Sequence, residues 1–139
     1  MEAASKSQAS ALGIVLFAHG SRDPHWRMPI ERIASLIQEL DPKVQVRCAY
    51  LEMATPDLPS AVEELVQRGL RSLRVLPIFL GMGKHLRQDL PELVETLRGR
   101  YPQIVLEVAA AVGENEEVLR AIARSALKLT EPSGAQGAH

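Results

Sequence analysis

Apolar residues along this chain fall into two recurring patterns, short uninterrupted runs and longer stretches with a single apolar face. Residues 13–18 (GIVLFA) form the first run and are rich in strand formers. The stretch after it places Ile30, Ile33, Ala34 and Ile37 at the i, i+3, i+4, i+7 spacing of a helix with one buried stripe. A second strand is predicted over 43–50 (KVQVRCAY). Thr55 then offers an N-cap, with Pro56 at the first helical position. The helix it opens carries Leu58, Ala61, Val62 and Leu65 and ends at Gly69. The third strand spans 73–80 (LRVLPIFL), where Pro77 removes a ladder donor and predicts a bulge or an early end. Leu86, Leu90, Leu93, Val94 and Leu97 stripe the third helix, and 104–109 (IVLEVA) form the fourth strand. Val118, Leu119, Ile122, Ala123 and Ala126 stripe the last helix.

Four strand–helix units with apolar strands predict an α/β fold, a four-stranded parallel sheet covered by helices on both faces. Right-handed crossovers place strand 1 centrally between strands 2 and 3, giving the order 2-1-3-4 in three α/β/α layers. One domain is expected over 12–128. Residues 1–11 and 129–139 are small and polar and read as frayed tails, so His139 receives no role. A four-stranded sheet is about half of many open α/β enzymes, and that size alone predicts a homodimer that completes a cleft.

Composition narrows the partners. The 139 residues are 46% hydrophobic and 24% charged, ordinary globular values. Sixteen Lys plus Arg against seventeen Asp plus Glu leave a net charge of −1, so no global basic field exists to hold a nucleic acid or an anionic membrane. The apolar run ending at His19 is about eight residues, well short of the roughly 20 a membrane helix needs. Glu2 beside a lone Lys6 does not supply the cationic start of a signal peptide. One cysteine, Cys48, excludes an internal disulfide or CxxC site, and a reducing, cytoplasmic setting is expected. Cys48 lies in a predicted buried strand, where an inert thiol is the default.

Ligands of open parallel sheets bind outside the carboxyl ends of the strands. Strand 1 runs there into His19-Gly20-Ser21-Arg22-Asp23, strand 2 into Tyr50-Leu51-Glu52, and strand 3 into Gly81-Met82-Gly83-Lys84-His85. Two histidines and a carboxylate therefore leave one edge of three neighbouring strands. With strands about 4.8 Å apart, they can converge on an ion about 2 Å from each ligand. Imidazoles with an optional carboxylate suit Co, Ni, Fe and Zn. A single loop histidine is commonly a plain surface group, and it is the pair at equivalent strand ends that points to a metal. Glu52 reads equally as a helix-entry charge or as a ligand or base. His25 and Trp26 fall on the first turn of a helix and read as structural. Arg22, Lys84 and Arg87 surround the same mouth, either as solvated charges or as an anion site. Other motifs are incomplete. Gly81-Met82-Gly83 has neither the third glycine of a dinucleotide fingerprint nor the Lys-Ser/Thr of a P-loop. Ser21 has no GxSxG elbow around it.

Three motifs in this order carry a resemblance: His19-Gly20-Ser21-Arg22-Asp23-Pro24, then Leu51-Glu52-Met53-Ala54-Thr55-Pro56, then Leu76 through His85 (LPIFLGMGKH). Over residues 12–127 the chain resembles the CbiX family, sirohydrochlorin chelatases of the class II chelatase superfamily. The resemblance implies the small, single-domain, homodimeric form. It implies insertion of divalent cobalt or iron into sirohydrochlorin, toward cobalamin or siroheme. The metal ligands it implies are His19 and His85, with Glu52 handling metal or protons. No resident cofactor is implied, because metal and tetrapyrrole are both substrates. Sirohydrochlorin carries eight rim carboxylates, for which Arg22, Lys84 and Arg87 are the expected partners and Arg27 and Arg47 further ones. Ser21 and Gly83 complete the expected substrate contacts. An imidazole has a reference pKa of about 6.5, so near pH 7 it can ligate a metal or take a pyrrole proton. Rival readings are a metal or tetrapyrrole carrier on the same scaffold, a nickel-sirohydrochlorin chelatase, and a structural or regulatory module with a decayed site.

Overall fold

The computed structural model describes residues 11–129. The predicted terminal tails therefore lie almost wholly outside the described residues. Four parallel strands, β1 (Leu12–Ala18), β2 (Gln45–Tyr50), β3 (Ser72–Pro77) and β4 (Val105–Val108), form one sheet in the order β2-β1-β3-β4. Four helices connect or follow them: α1 (Met28–Leu40), α2 (Leu58–Gln67), α3 (Lys84–Arg100) and α4 (Glu116–Leu129). Short 3₁₀ turns, Pro24–Arg27 and Val112–Glu114, precede α1 and α4.

The two faces of the sheet are unequally filled. On one, Val15 and Phe17 of β1 and Leu73 and Val75 of β3 meet Leu58, Ala61, Val62 and Leu65 of α2 and Leu90, Val94 and Leu97 of α3. Fourteen buried residues make up this cluster. On the other, Leu16, Ala18, Ile30 and Tyr50 are the four buried members, under α1. The stripe predicted for α1 is thus only partly covered: Ile30 is buried, whereas Ile33, Ala34 and Ile37 are half-buried.

Several local expectations change. Thr55 is not the cap of the second helix, nor Pro56 its first residue. The Pro56 carbonyl accepts the Tyr50 N–H at 2.9 Å, which ties it to the end of β2. Asp57 caps instead, its Oδ1 accepting the Ser60 N–H at 2.9 Å, and Pro59 occupies an early position where no donor is missed. Strand β3 does end early at Pro77, and the ladder goes one step further through Ile78 N–H to the Phe17 carbonyl. His25 and Trp26 sit in the 3₁₀ turn before α1, where the Trp26 ring tilts against Tyr50 at 6.3 Å. The last helix runs to Leu129, one residue past the expected domain end, and of its apolar stripe Val118 is half-buried while Leu119, Ile122, Ala123 and Ala126 are exposed.

Candidate functional site

The carboxyl edge of β1 and β2 is extended by backbone pairing past the strand ends. Leu51 N–H donates to the Ala18 carbonyl at 2.9 Å and Glu52 N–H to the His19 carbonyl at 3.1 Å. This register places two side chains together: His19 Nε2 stands 3.5 Å from Glu52 Oε2, both side chains more than half exposed. Two ligands about 2.1 Å from one tetrahedral ion lie roughly 3.4 Å apart. The pair is therefore spaced as two corners of such a site. Gly20, with φ +107°, lets the loop leave β1 directly over Glu52.

His85 arrives from the other side, at the second position of α3, whose N-cap is Gly83. His19 and His85 line the same cavity of about 340 Å³, with Leu51, Phe79 and Leu86 as its apolar wall. Phe79 presents its ring edge-on to His19, centroids 6.3 Å apart, and to Phe17 at 5.9 Å. Lys84 and Asp89 supply the cavity's other charged groups. Glu52 is joined to this cavity through its contact with His19. Among the described residues, no three His, Cys, Asp or Glu side chains stand close enough to hold one ion together. His85 thus shares the cavity without closing on the His19–Glu52 pair.

The remaining expected residues divide. Lys84 and Gly83 line the cavity. Ser21 Oγ accepts the Asp23 N–H at 3.0 Å, and Asp23 Oδ1 accepts the His25 N–H at 2.9 Å, so Ser21 braces the loop after His19. Arg22 is exposed on that loop and lines no part of the cavity. Arg87 turns to a neighbouring cavity of about 330 Å³ between α3 and the end of β4, with Leu90, Pro91 and Arg98. Arg47 pairs with Glu64 of α2 at 3.0 Å, without the alignment of a hydrogen bond, and its partner lies on the α2 side of the sheet. Arg27 Nε is buried without a hydrogen-bond partner, in a crevice with Glu31 and Tyr50. Burial pushes the Cys48 thiol up and the Tyr50 hydroxyl up to about 12, so both stay protonated near neutral pH.

Phe79 and Asp89 were not singled out by the sequence pattern. Asp89 was within reach of it, because a residue four positions after His85 on a helix shares its face. Phe79 carried no signal beyond an apolar run.

The CbiX family model matches residues 13–129. The chain belongs to the CbiX family. The sirohydrochlorin cobaltochelatase of Methanothermobacter thermautotrophicus is 35% identical over 89 residues, 63% of this chain and 61% of that protein. That of Methanopyrus kandleri is 31% identical over 83 residues, 60% of this chain and 58% of the relative. The matched stretch thus spans about three-fifths of these curated relatives. A CbiX protein of Marinobacter aquaeolei VT8 superposes with a TM-score of 0.74 at 31% identity, covering 88% of this chain and 98% of that one. SirB of Bacillus subtilis, solved in complex with cobalt, shares the fold at a TM-score of 0.71 and 23% identity, covering 86% of this chain and 51% of SirB. Among the described residues, no helix is long and apolar enough to cross a membrane.

Proposed function

We propose that this CbiX protein is a sirohydrochlorin chelatase, inserting a divalent metal, cobalt before iron, into the tetrapyrrole for cobalamin or siroheme synthesis. It works in the cytoplasm as a homodimer. The observation that carries the reading is the His19–Glu52 pair, 3.5 Å apart at the sheet's carboxyl edge, with His19 lining the same cavity as His85. Insertion replaces two pyrrole N–H protons by one M²⁺, so the site must hold a cation and accept two protons. His19 and Glu52 hold the metal substrate on an open edge, from which it can pass on. His85, across the cavity, joins as a third ligand or takes a proton when the macrocycle is bound. Lys84 meets rim carboxylates, and Leu51, Phe79 and Leu86 receive the apolar face of the ring. Arg22, Arg27, Arg47 and Arg87 are left as outer charges. A cavity of about 340 Å³ is at the low end for a drug-sized ligand, so a tetrapyrrole must extend beyond it.

The test is an anaerobic absorbance assay with sirohydrochlorin and Co²⁺, Fe²⁺ or Ni²⁺ in turn, against a protein-free control. Accelerated loss of the free-base spectrum, abolished in His19→Ala and His85→Ala, is the expected result and ranks the metals. Tetrapyrrole binding with no rate above the control makes the protein a carrier and overturns the enzyme reading.

A further inference from the structure

The cavity shared by His19 and His85 contains one charge that neither the metal pair nor an anionic substrate rim explains. Asp89 lines it and, among the described residues of its wall, brings the one carboxylate. It follows His85 by four positions on α3 and so shares that face of the helix. Four residues rise about 6 Å along a helix axis, which sets the carboxylate one turn from the imidazole rather than against it. Among the described residues, the Asp89 carboxylate makes no hydrogen bond and no ion pair.

The fold does not require this group. Asp is a poor helix former in an interior position. The helix dipole favours acids in the first turn, which Asp89 has passed. The residue is exposed and outside the core. Arg87, the cation nearest to it in sequence, turns to the neighbouring cavity with Leu90, Pro91 and Val94. Substrate binding does not require it either, because a carboxylate repels an anionic rim, and Lys84 is the group here that attracts one. Nor do three His, Cys, Asp or Glu side chains among the described residues close on one ion. Asp89 therefore keeps its lone pairs free while His19 and Glu52 hold the metal.

Insertion needs a base in that condition. Each N–H bond that breaks leaves its electron pair on nitrogen, where it forms the bond to the metal. Two protons leave, and nothing is oxidised or reduced. A lone pair cannot bind a metal and take a proton at once, so His19 and Glu52 become bases only as the metal departs. The first N–H has to open earlier.

We infer that Asp89 is the general base for that first proton, taking it from the bound ring directly or through one water. It releases the proton to the solvent to which it is exposed. The second proton goes to His85 or to a ligand that the metal vacates. The assignment rests on the chelatase reading and adds a catalytic residue to it.

Anaerobic Co²⁺ insertion by the full chain, with sirohydrochlorin varied, tests this. Asp89→Asn should lower kcat about 10²-fold, the scale of one positioned base, without raising KM. Its Co²⁺ affinity, titrated in the absence of tetrapyrrole, should equal that of wild type. Asp89→Ala should be as slow, and formate should restore part of its rate where chloride at equal ionic strength does not. Both variants should match wild type in circular dichroism, since Asp89 is exposed. Glu92→Gln, an exposed acid on the next turn that lines no part of the cavity, should keep the wild-type rate and gain nothing from formate. Undiminished kcat in Asp89→Asn overturns the assignment, as does an Asp89→Ala protein that formate leaves slow. A Co²⁺ affinity that falls together with kcat makes Asp89 a metal ligand and overturns it too. Wild type with no rate above the protein-free control overturns the chelatase reading itself, which separates the two failures.

Discussion

Gly20 packs so closely on Glu52 that a β-carbon added to it would lie 1.8 Å from the Glu52 carbonyl oxygen. Its φ of +107° is also one that side-chain-bearing residues rarely adopt. The loop carrying His19 and the loop carrying Glu52 are therefore held together by the absence of a side chain. Gly20→Ala must push them apart, disturbing the His19–Glu52 contact. The expected loss is about 1–3 kcal/mol of stability, with metal affinity lowered at least tenfold. Equilibrium denaturation and Co²⁺ titration measure the two effects. Unchanged cobalt binding in a folded Gly20→Ala protein would show that this spacing does not matter.

His19 and Glu52 are both more than half exposed, and neither side chain supports the core. Replacing them separates function from folding. His19→Ala and Glu52→Gln should each leave stability within about 0.5 kcal/mol, as surface changes usually do. Insertion of cobalt should fall by about 10²-fold or more in His19→Ala, the scale of losing a ligand or a positioned base. Glu52→Gln, which keeps shape and removes charge, should fall less. Equal, undiminished rates in both variants would remove the pair from the reaction.

The arrangement of strands was legible because the apolar run of β1 is uninterrupted, those of β2 and β3 are broken by few polar residues such as Arg47 and Arg74, and the helices between them carry clear periodicity. Pro77 even announced the end of β3. The site was legible in outline for the same reason, since parallel strands deliver His19 and Glu52 to a common edge. Three features were not. Thr55 and Asp57 are both good caps, and what decides for Asp57 is the turn between β2 and α2, closed by a hydrogen bond from the Tyr50 N–H to the Pro56 carbonyl, which the residue types alone do not announce. The stripe of α4 reports that a face is apolar, not which surface covers it. Arg47 and Arg87 were expected to meet the substrate's carboxylates, yet one faces α2 and the other a separate cavity.

Lys84 is the charged group of the cavity positioned to meet an anionic rim. It lies at the first residue of α3, where the helix dipole also favours an anion. Lys84→Gln should therefore raise KM for sirohydrochlorin about 3- to 10-fold, on the order of 1 kcal/mol for a partly exposed charge contact. The rate at saturation should change little, and the KM difference should shrink as salt rises. A fall in kcat with unchanged KM would instead place Lys84 in the chemistry.

Asp57 gives the fold a measurable acid sensitivity. Hydrogen bonds from Ser60 hold its carboxyl below the usual aspartate value. A carboxylate whose pKa is lowered by folding stabilises the native state above its unfolded pKa, about 3.9, and loses that contribution as pH falls through the lower folded value. Asp57→Ala should cost about 1 kcal/mol at pH 7, the usual worth of an N-cap. The gap between wild type and Asp57→Ala should hold down to about pH 4 and narrow below it. Asp57→Asn keeps an acceptor without the titration, so its gap to Asp57→Ala should show no such narrowing. Urea denaturation of the three proteins between pH 7 and pH 3 measures this, and a wild-type gap that stays constant across the range would mean that the charge contributes nothing to the cap.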